Sequence, residues 1–521
     1  MGQVWTTLCD WTVRCLQIIS RGRWYCSMDE EYQEAIKKLN SMQNNDSEDR
    51  KRKNIEMMKN CLQRVDLTMD QINQLSIIHV SGSKAKRSTC EYAESILRHH
   101  GHKTGLFSVP HLFEVRERVR IDGKPVDKKI FTKAFWRVLK QLDMSKKENK
   151  GRLPGYFIMT LLVALRIFVD KEVKVLVLEA CRGGEYDATN FIEKPMVCGV
   201  SSLGLEPRNQ LGNTIEEVSW HTAGLVKEGI PLVTVQHSHT VLNVVIERAK
   251  KKKCPLFLAL PVHEAEIGAL GDVRGRQAQN AINAALALQL CRVWRHKKED
   301  RVPRELPGLE LPTTEEKEGL QRARSPGQTE MIKKEKITYY LDAARTTENL
   351  QQAIDWFQHT ADKERVEPAT RCLVFGTKWQ DNVADLLPVL NDVGFKRVAF
   401  CPHVISTSAW ETFPDSMELR IDLAKAMQSA KSQQEKWAQL PECAQSDFFP
   451  SIVSALWWAG LKRDPRLQRL AEADIALVEE PAQLANPVGI DVEHVQVFVT
   501  GSLVVVGGAL GLINPNYWET N

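Results

Sequence analysis

Short β-branched runs alternate with helix-period stretches along most of the chain, and this alternation restricts the fold more than any other feature. Continuous apolar runs suit strands buried on both faces, and strands separated by helices pair in parallel through crossovers. Ser76–Val80 reads as the first strand, followed by a loop and a helix over Ser88–Arg98. Val173–Glu179 is a second strand that ends in a Gly-Gly turn, and Val197–Ser202 and Pro255–Leu260 extend the same sheet. A second series follows, with Ile337–Leu341, Arg371–Phe375, Arg397–Cys401, Ala473–Val478 and Val495–Thr500 as strands. Between the two series, residues 296–336 are charged and proline-punctuated, which reads as a linker or long exposed loop. The expected class is α/β, with a mostly parallel sheet domain over 28–325 and a smaller α/β domain over 337–521.

Composition removes several functions. A net charge of +4 over 521 residues gives no concentrated basic face for nucleic acid. Lys250–Lys253 form a short basic run that reads as a solvated loop. The twelve cysteines are scattered without a Cys-x-x-Cys pair or a His cluster, which speaks against zinc and for reduced thiols. No apolar run reaches membrane-span length. Leu503–Ile513 is broken by Gly507, Gly508 and Gly511 and reads as a buried helix. Residues 1–27 carry Arg14, Arg21 and Arg23 against one acid, Asp10. That pattern fits a mitochondrial presequence, and equally an amphipathic helix or a tail. A start at Met28 would give a cytoplasmic form.

The segment Ser81-Gly-Ser-Lys-Ala-Lys-Arg-Ser-Thr89 lies between a strand and a helix, where a helix N-terminus offers N–H groups and a favourable dipole to an anion. Lys86 and Ser88 supply the cation and hydroxyl that phosphate-binding loops use. The segment lacks the usual glycines, so an ordinary polar loop is the alternative reading.

From Met28 onward the chain resembles the folylpolyglutamate synthases, members of the Mur-ligase superfamily. The resemblance rests on IIHVSGSKAKRSTC, VPHLFEVRERVRIDGKPV, GGEYDATN with VCGVSSLG, NAALALQL, YYLD and VFVTGSL, in that order. It implies the Mur-ligase architecture: a P-loop-type N-terminal domain and a Rossmann-like C-terminal one. It also implies a reaction, the ATP-dependent addition of glutamate to folate or tetrahydrofolate through an acyl phosphate, with ATP and Mg2+ as cofactors. Carried over by position, Lys86 and Glu179 take the catalytic places. Gly82, Lys86, Ser88 and Asp342 contact ATP, and Glu179 is a metal ligand. Members are usually monomeric, and no coiled-coil pattern here suggests otherwise.

Several family positions are replaced. The loop glycines of Gly-Lys-Gly-Ser become Ala85 and Arg87, which obstruct close approach of backbone to phosphate. The metal-binding serine of Ser-Pro-His-Leu becomes Val109, which has no oxygen for a hard cation. The glycine-rich turn after Glu179 begins Cys181-Arg182, and the Asp-His pair after Ser-Ser-Leu-Gly becomes Glu206-Pro207. The lysine of the second metal site becomes Thr222, an arginine becomes Gln328, and Asp-Gly-Ala-His-Thr becomes Asp342-Ala-Ala-Arg345-Thr346. Arg87, Arg182 and Arg345 thus stand at positions that line the family's triphosphate pocket. They make either a metal-independent anion site or drift on a solvated surface. Two classes follow: a folate–glutamate ligase, or a catalytically impaired paralogue that binds folate, nucleotide or a protein partner.

Overall fold

A computed structural model describes residues 30–45, 53–145, 152–204, 211–259, 277–299, 311–364, 369–377, 383–408, 415, 422–476 and 493–520. Residues 1–27 and the Glu206-Pro207 pair lie outside that set. The α/β expectation holds, in two sheets.

The first sheet has the order β4-β3-β2-β5-β1-β6-β7-β8. Its strands are β1 Ile78–Ser81, β2 Thr104–Phe107, β3 Val119–Ile121, β4 Lys124–Pro125, β5 Val175–Glu179, β6 Val197–Val200, β7 Leu232–Thr234 and β8 Leu256–Leu258. Pairing is parallel from β2 through β8, and antiparallel only where β3 and β4 join the edge. The central strand β1 is buried throughout, because helices cover both faces of a parallel sheet. Its register places Val80 beside Glu179 on one side and Gly199 on the other. That register brings the Glu179 carboxylate to the same sheet edge as the loop leaving Ser81.

The second sheet has the order β13-β12-β11-β14-β10-β9. It comprises β9 Glu330–Lys333, β10 Ile337–Leu341, β11 Ala369–Phe375, β12 Arg397–Phe400, β13 Gln445–Phe448 and β14 His494–Thr500. Only β9 runs antiparallel. The helix Leu503–Ile513 is buried, as its sequence suggests.

Two expectations need correction. Ala473–Val478 is not a strand: its first four residues end the helix Pro465–Ala476, whose buried Leu467, Ala471, Asp474 and Ile475 follow helical spacing. Residues 311–336 are not simply linker. Thr313 and Glu316 form a capping box that starts the helix Thr314–Arg322, and β9 follows. Gly319 lets this helix approach the helix Lys86–His99 closely, since a Cβ there would lie 2.5 Å from Ile96 Cα. Glu316 meets Arg292 in a buried two-bond fork of 3.0 and 2.8 Å. The lysine run is divided: Lys250 and Lys251 end the helix His239–Lys251, and all four lysines are exposed.

The buried fork gives a test of this packing. Glu316→Ala strands the Arg292 guanidinium and should lower stability by about 3–5 kcal/mol in urea titration. The double change Arg292→Met with Glu316→Leu should recover most of that loss, because the pair is then replaced rather than broken.

Candidate functional site

The loop from Ser81 to Ala85 is laid down against the end of β6. Ser83 and Lys84 donate their N–H groups to Ser202 O at 3.2 and 2.9 Å, and Ser201 Oγ donates to Lys84 O at 2.7 Å. Gly82 has φ +151°, and a Cβ there would fall 1.9 Å from Ser201 Oγ, so this close approach requires glycine. Ala85 then caps the helix Lys86–His99 in the left-handed region, with φ 63° and ψ 7°. The loop keeps a backbone suited to glycine although the residue carries a methyl group. The N–H groups of Lys86, Arg87 and Ser88 occupy the first turn, where helix geometry offers them no intrahelical partner. Lys86 Nζ reaches Cys181 O at 3.4 Å, which sets its ammonium beside the turn after β5.

Glu179 ends β5 and is buried. Its Oε2 accepts the N–H of Val109 at 3.0 Å. Burial pushes the Glu179 carboxyl up, and the nearby charges of Lys86 and Arg87 pull it back down. Arg87 is mostly buried, with Nε 3.3 Å from Glu91 Oε1. Glu91 is shared: Arg120 Nη1 lies 3.3 Å away, and Ser325 Oγ donates to its other oxygen.

The remaining sequence candidates divide. Lys86, Arg87, Ser88 and Glu179 gather at the carboxyl end of the β5-β1-β6 sheet, the place where ligands bind in open α/β sheets. Arg182 and Arg345 are exposed. Asp342 is buried, and its Oδ2 accepts the Thr329 N–H at 2.9 Å, so it secures the segment that enters the second sheet. Thr222 is buried and its hydroxyl turns back to Val218 O at 2.7 Å. Its own carbonyl accepts from Ser81 Oγ at 2.9 Å. Gln328 N donates to Ser325 O in the turn just before β9.

Two buried networks went unread in the sequence. Asp187 accepts from Arg182 N at 2.7 Å and from Thr189 Oγ1 at 2.6 Å. Thr189 in turn meets His79 Nε2 at 2.8 Å. Burial pushes His79 down to about 3, so it is neutral. The acids of GGEYDATN were the available signal. In the second network, Arg118 Nε donates to His111 Nδ1 at 2.9 Å. The His111 proton therefore sits on Nε2, which donates to Asp415 O at 2.7 Å. Asp415 Oδ1 accepts from Val115 N at 2.7 Å and Tyr32 Oη at 2.9 Å. Burial, aided by the charge of Glu114, pushes the Asp415 carboxyl up to about 7. No local sequence signal marks this contact, because its partners lie some 300 residues apart.

For a metal ion the residues do not fit. Val109 offers no side-chain oxygen, Glu179 Oε2 is turned to a backbone N–H, and Thr222 is folded into its own helix. Among the described residues, no group of three or more His, Cys, Asp or Glu side chains is placed to hold an ion. Among them too, no helix is long and apolar enough to cross a membrane.

No protein-family model matches the chain. Curated relatives do. The mitochondrial folylpolyglutamate synthase of Cricetulus griseus is 34% identical over 93% of this chain and 92% of its own length. That of Homo sapiens is 33% identical, with the same shares covered. Among solved structures, a Mycobacterium tuberculosis folylpolyglutamate synthase complexed with ADP aligns with a TM-score of 0.61. It covers 88% of this chain and 94% of its own, at 17% identity. Escherichia coli FolC in complex with DHPP and ADP aligns at 0.58, over 87% and 93%, at 20% identity. At these identities the structural likenesses speak for the fold.

Two outcomes follow from the geometry. Ala85→Gly should raise stability by about 1 kcal/mol, read from denaturant midpoints, because it relieves a left-handed alanine. Asp415 holds a proton in the folded chain between its ordinary value of 3.8 and about 7. Its contribution is therefore complete below the lower value and is lost as pH rises through the upper one. Asp415→Asn keeps the accepting oxygen without the charge. Thermal melts should show it more stable than the parent at pH 8, with the difference shrinking as pH falls and closing only near pH 4.

Proposed function

Since the chain belongs to the folylpolyglutamate synthase family, we propose that it is an ATP-dependent ligase of folate metabolism that joins glutamate to a folate. The observation that carries this reading is the placement of Lys86: first residue of the helix that follows β1, its Nζ 3.4 Å from Cys181 O in the turn after β5, where its charge acts on Glu179. The ADP complexes of the M. tuberculosis and E. coli proteins support a nucleotide in this crevice.

In this reading the terminal phosphate of ATP moves to a carboxylate of the folate's glutamate tail. The bond from that oxygen to phosphorus forms, the bond to the bridging oxygen breaks, and ADP departs. The amine of the incoming glutamate then attacks the acyl carbon, inorganic phosphate leaves, and the amine loses its proton as the amide forms. Lys86 and the N–H groups of residues 86–88 meet the charge on the transferring phosphate. Glu179 keeps the Val109 segment in place through its N–H bond. Magnesium supplies charge neutralisation in the family's reaction. Here its ligand set does not fit, so the steps above run through side chains and backbone alone.

The compartment in this reading is the mitochondrion, after the names of the relatives, with residues 1–27 as presequence and Met28 as the start of a cytoplasmic form. The ligase acts as a monomer, with its ATP-binding domain over 28–325 and the closing domain over 337–521.

Purified protein incubated with tetrahydrofolate, labelled glutamate and Mg-ATP should extend the glutamate tail. Lys86→Ala should lower the rate by roughly 10²–10³-fold, as the loss of one preorganised charge at the reacting phosphate does elsewhere. Absence of extension by a folded chain that binds both substrates would refute the ligase reading.

A further inference from the structure

We propose that Arg87 is a built-in replacement for the principal divalent cation, so that the chain binds the phosphates of ATP without a protein-held metal. The inference rests on the ATP site of the ligase reading and deepens it.

The family glycine at position 87 leaves room; this chain fills it with a guanidinium. Arg87 follows the phosphate-loop lysine directly, in the first turn of a 14-residue helix. Its side chain is 14% exposed, so its charge is held largely out of solvent. It lies close enough to Glu179 and His111 for its charge to act on both. Those are the places where the family's cation would sit: beside the retained acid, and over the Val109-Pro110-His111 segment that lost its oxygen.

The polar atoms around it are incompletely matched. Arg87 Nε is ion-paired with Glu91, yet neither Nε nor Nη2 makes a hydrogen bond. Thr89 Oγ1, fully buried, and Ser83 Oγ are also buried without a partner. Buried donors left unmatched are costly unless a ligand completes them. They flank the same helix terminus, whose first N–H groups point at whatever binds there.

Charge agrees with this arrangement. Lys86, Arg87 and Arg120 face two carboxylates, Glu91 and Glu179. Asp187 also lies in the field of Lys86, so these charges balance and leave none of the acidic surplus that a free divalent cation needs. A guanidinium fork also matches two phosphate oxygens at once, as the remaining ligand set cannot do for a hard cation. Arg182 and Arg345 stand exposed, so the assignment goes to Arg87 alone.

The test is calorimetric titration of the full chain with ATP, once in EDTA and once in excess Mg2+. The expected result is binding in both, with dissociation constants within about threefold of each other, because the protein supplies the charge itself. Arg87→Ala should weaken binding in EDTA by about 10–100-fold, the worth of a charge-assisted hydrogen bond. Arg87→Lys, which keeps the charge without the fork, should weaken it less, and it serves as the readable variant should the alanine form misfold by circular dichroism. ATP binding that requires Mg2+, or that neither Arg87 variant alters, overturns the proposal while leaving the ligase reading intact. No binding in either condition overturns both. An Arg87 effect on a folate diglutamate but not on ATP would move the arginine to the other substrate and overturn the assignment made here.

Discussion

The carboxylate of Glu117 is fully buried and accepts three consecutive backbone N–H groups, from Leu112, Phe113 and Glu114 at 2.8, 3.1 and 2.8 Å. Much of the molecule hangs on this one staple. It fixes the turn that follows β2, and that turn does three things at once. Val109 binds Glu179 at the site. His111 reaches Asp415. Leu112 joins the hydrophobic core of the second sheet, with its carbonyl so close to Gly507 that a Cβ there would lie 2.0 Å from it. Phe113 against Tyr517, and Arg120 over Trp518 at 4.9 Å, extend the same contact. The loop that carries a metal ligand in the family is therefore also the joint between the two sheets here.

That dual use explains the pattern of what is kept. A serine can become Val109 without disturbing the joint, since the backbone N–H and not the side chain binds Glu179. His111 and Leu112 cannot vary so freely, because the first makes a long-range hydrogen bond and the second packs in the core of the second sheet. The loop from Ser81 to Ala85 follows the same logic. Gly82 is held by Ser201, whereas Ala85 tolerates a left-handed backbone at a cost of about 1–2 kcal/mol. Thr222 replaces a lysine yet preserves the local frame, its carbonyl still receiving Ser81 Oγ. Chemistry has been exchanged at the positions where scaffold and site separate.

The sequence reveals these features unevenly, for physical reasons. β1, β5, β6, β10, β11, β12 and β14 were legible because central parallel strands are continuous apolar, largely β-branched runs, and β8 because it lies within the apolar run Pro255–Leu260. β2, β7 and the edge strands β3, β4, β9 and β13 were missed: glycine, proline or charged residues interrupt all of them except the three-residue β7. Ala473–Val478 misled because a short apolar run of alanine, isoleucine and leucine suits either element. The helix Thr314–Arg322 was hidden by its charge, although Thr313 and Glu316 at capping-box spacing were a signal. Within the site, Lys86 and Glu179 were legible by position. The partnership of Asp187 with His79, and that of Asp415 with Tyr32, were not, because only the folded chain brings them together.

Replacing an ion by a side chain changes the magnitude of the attraction as well as its source. At 4 Å and an effective dielectric constant of 20, one unit charge attracts another by about 4 kcal/mol, and a divalent ion by twice that. Arg87 thus restores about half of the Coulomb term at equal distance. It adds directed N–H donors that an ion lacks, and it is partly neutralised by Glu91, which it shares with Arg120. The remainder falls to Lys86 and to the N–H groups of the first helical turn. Their orientation is set by the backbone at Ala85, where the chain reverses into the helix with φ 63°. The left-handed alanine and the buried arginine therefore belong to one arrangement: the first holds the donors in place, and the second supplies the charge that the lost ligands no longer recruit.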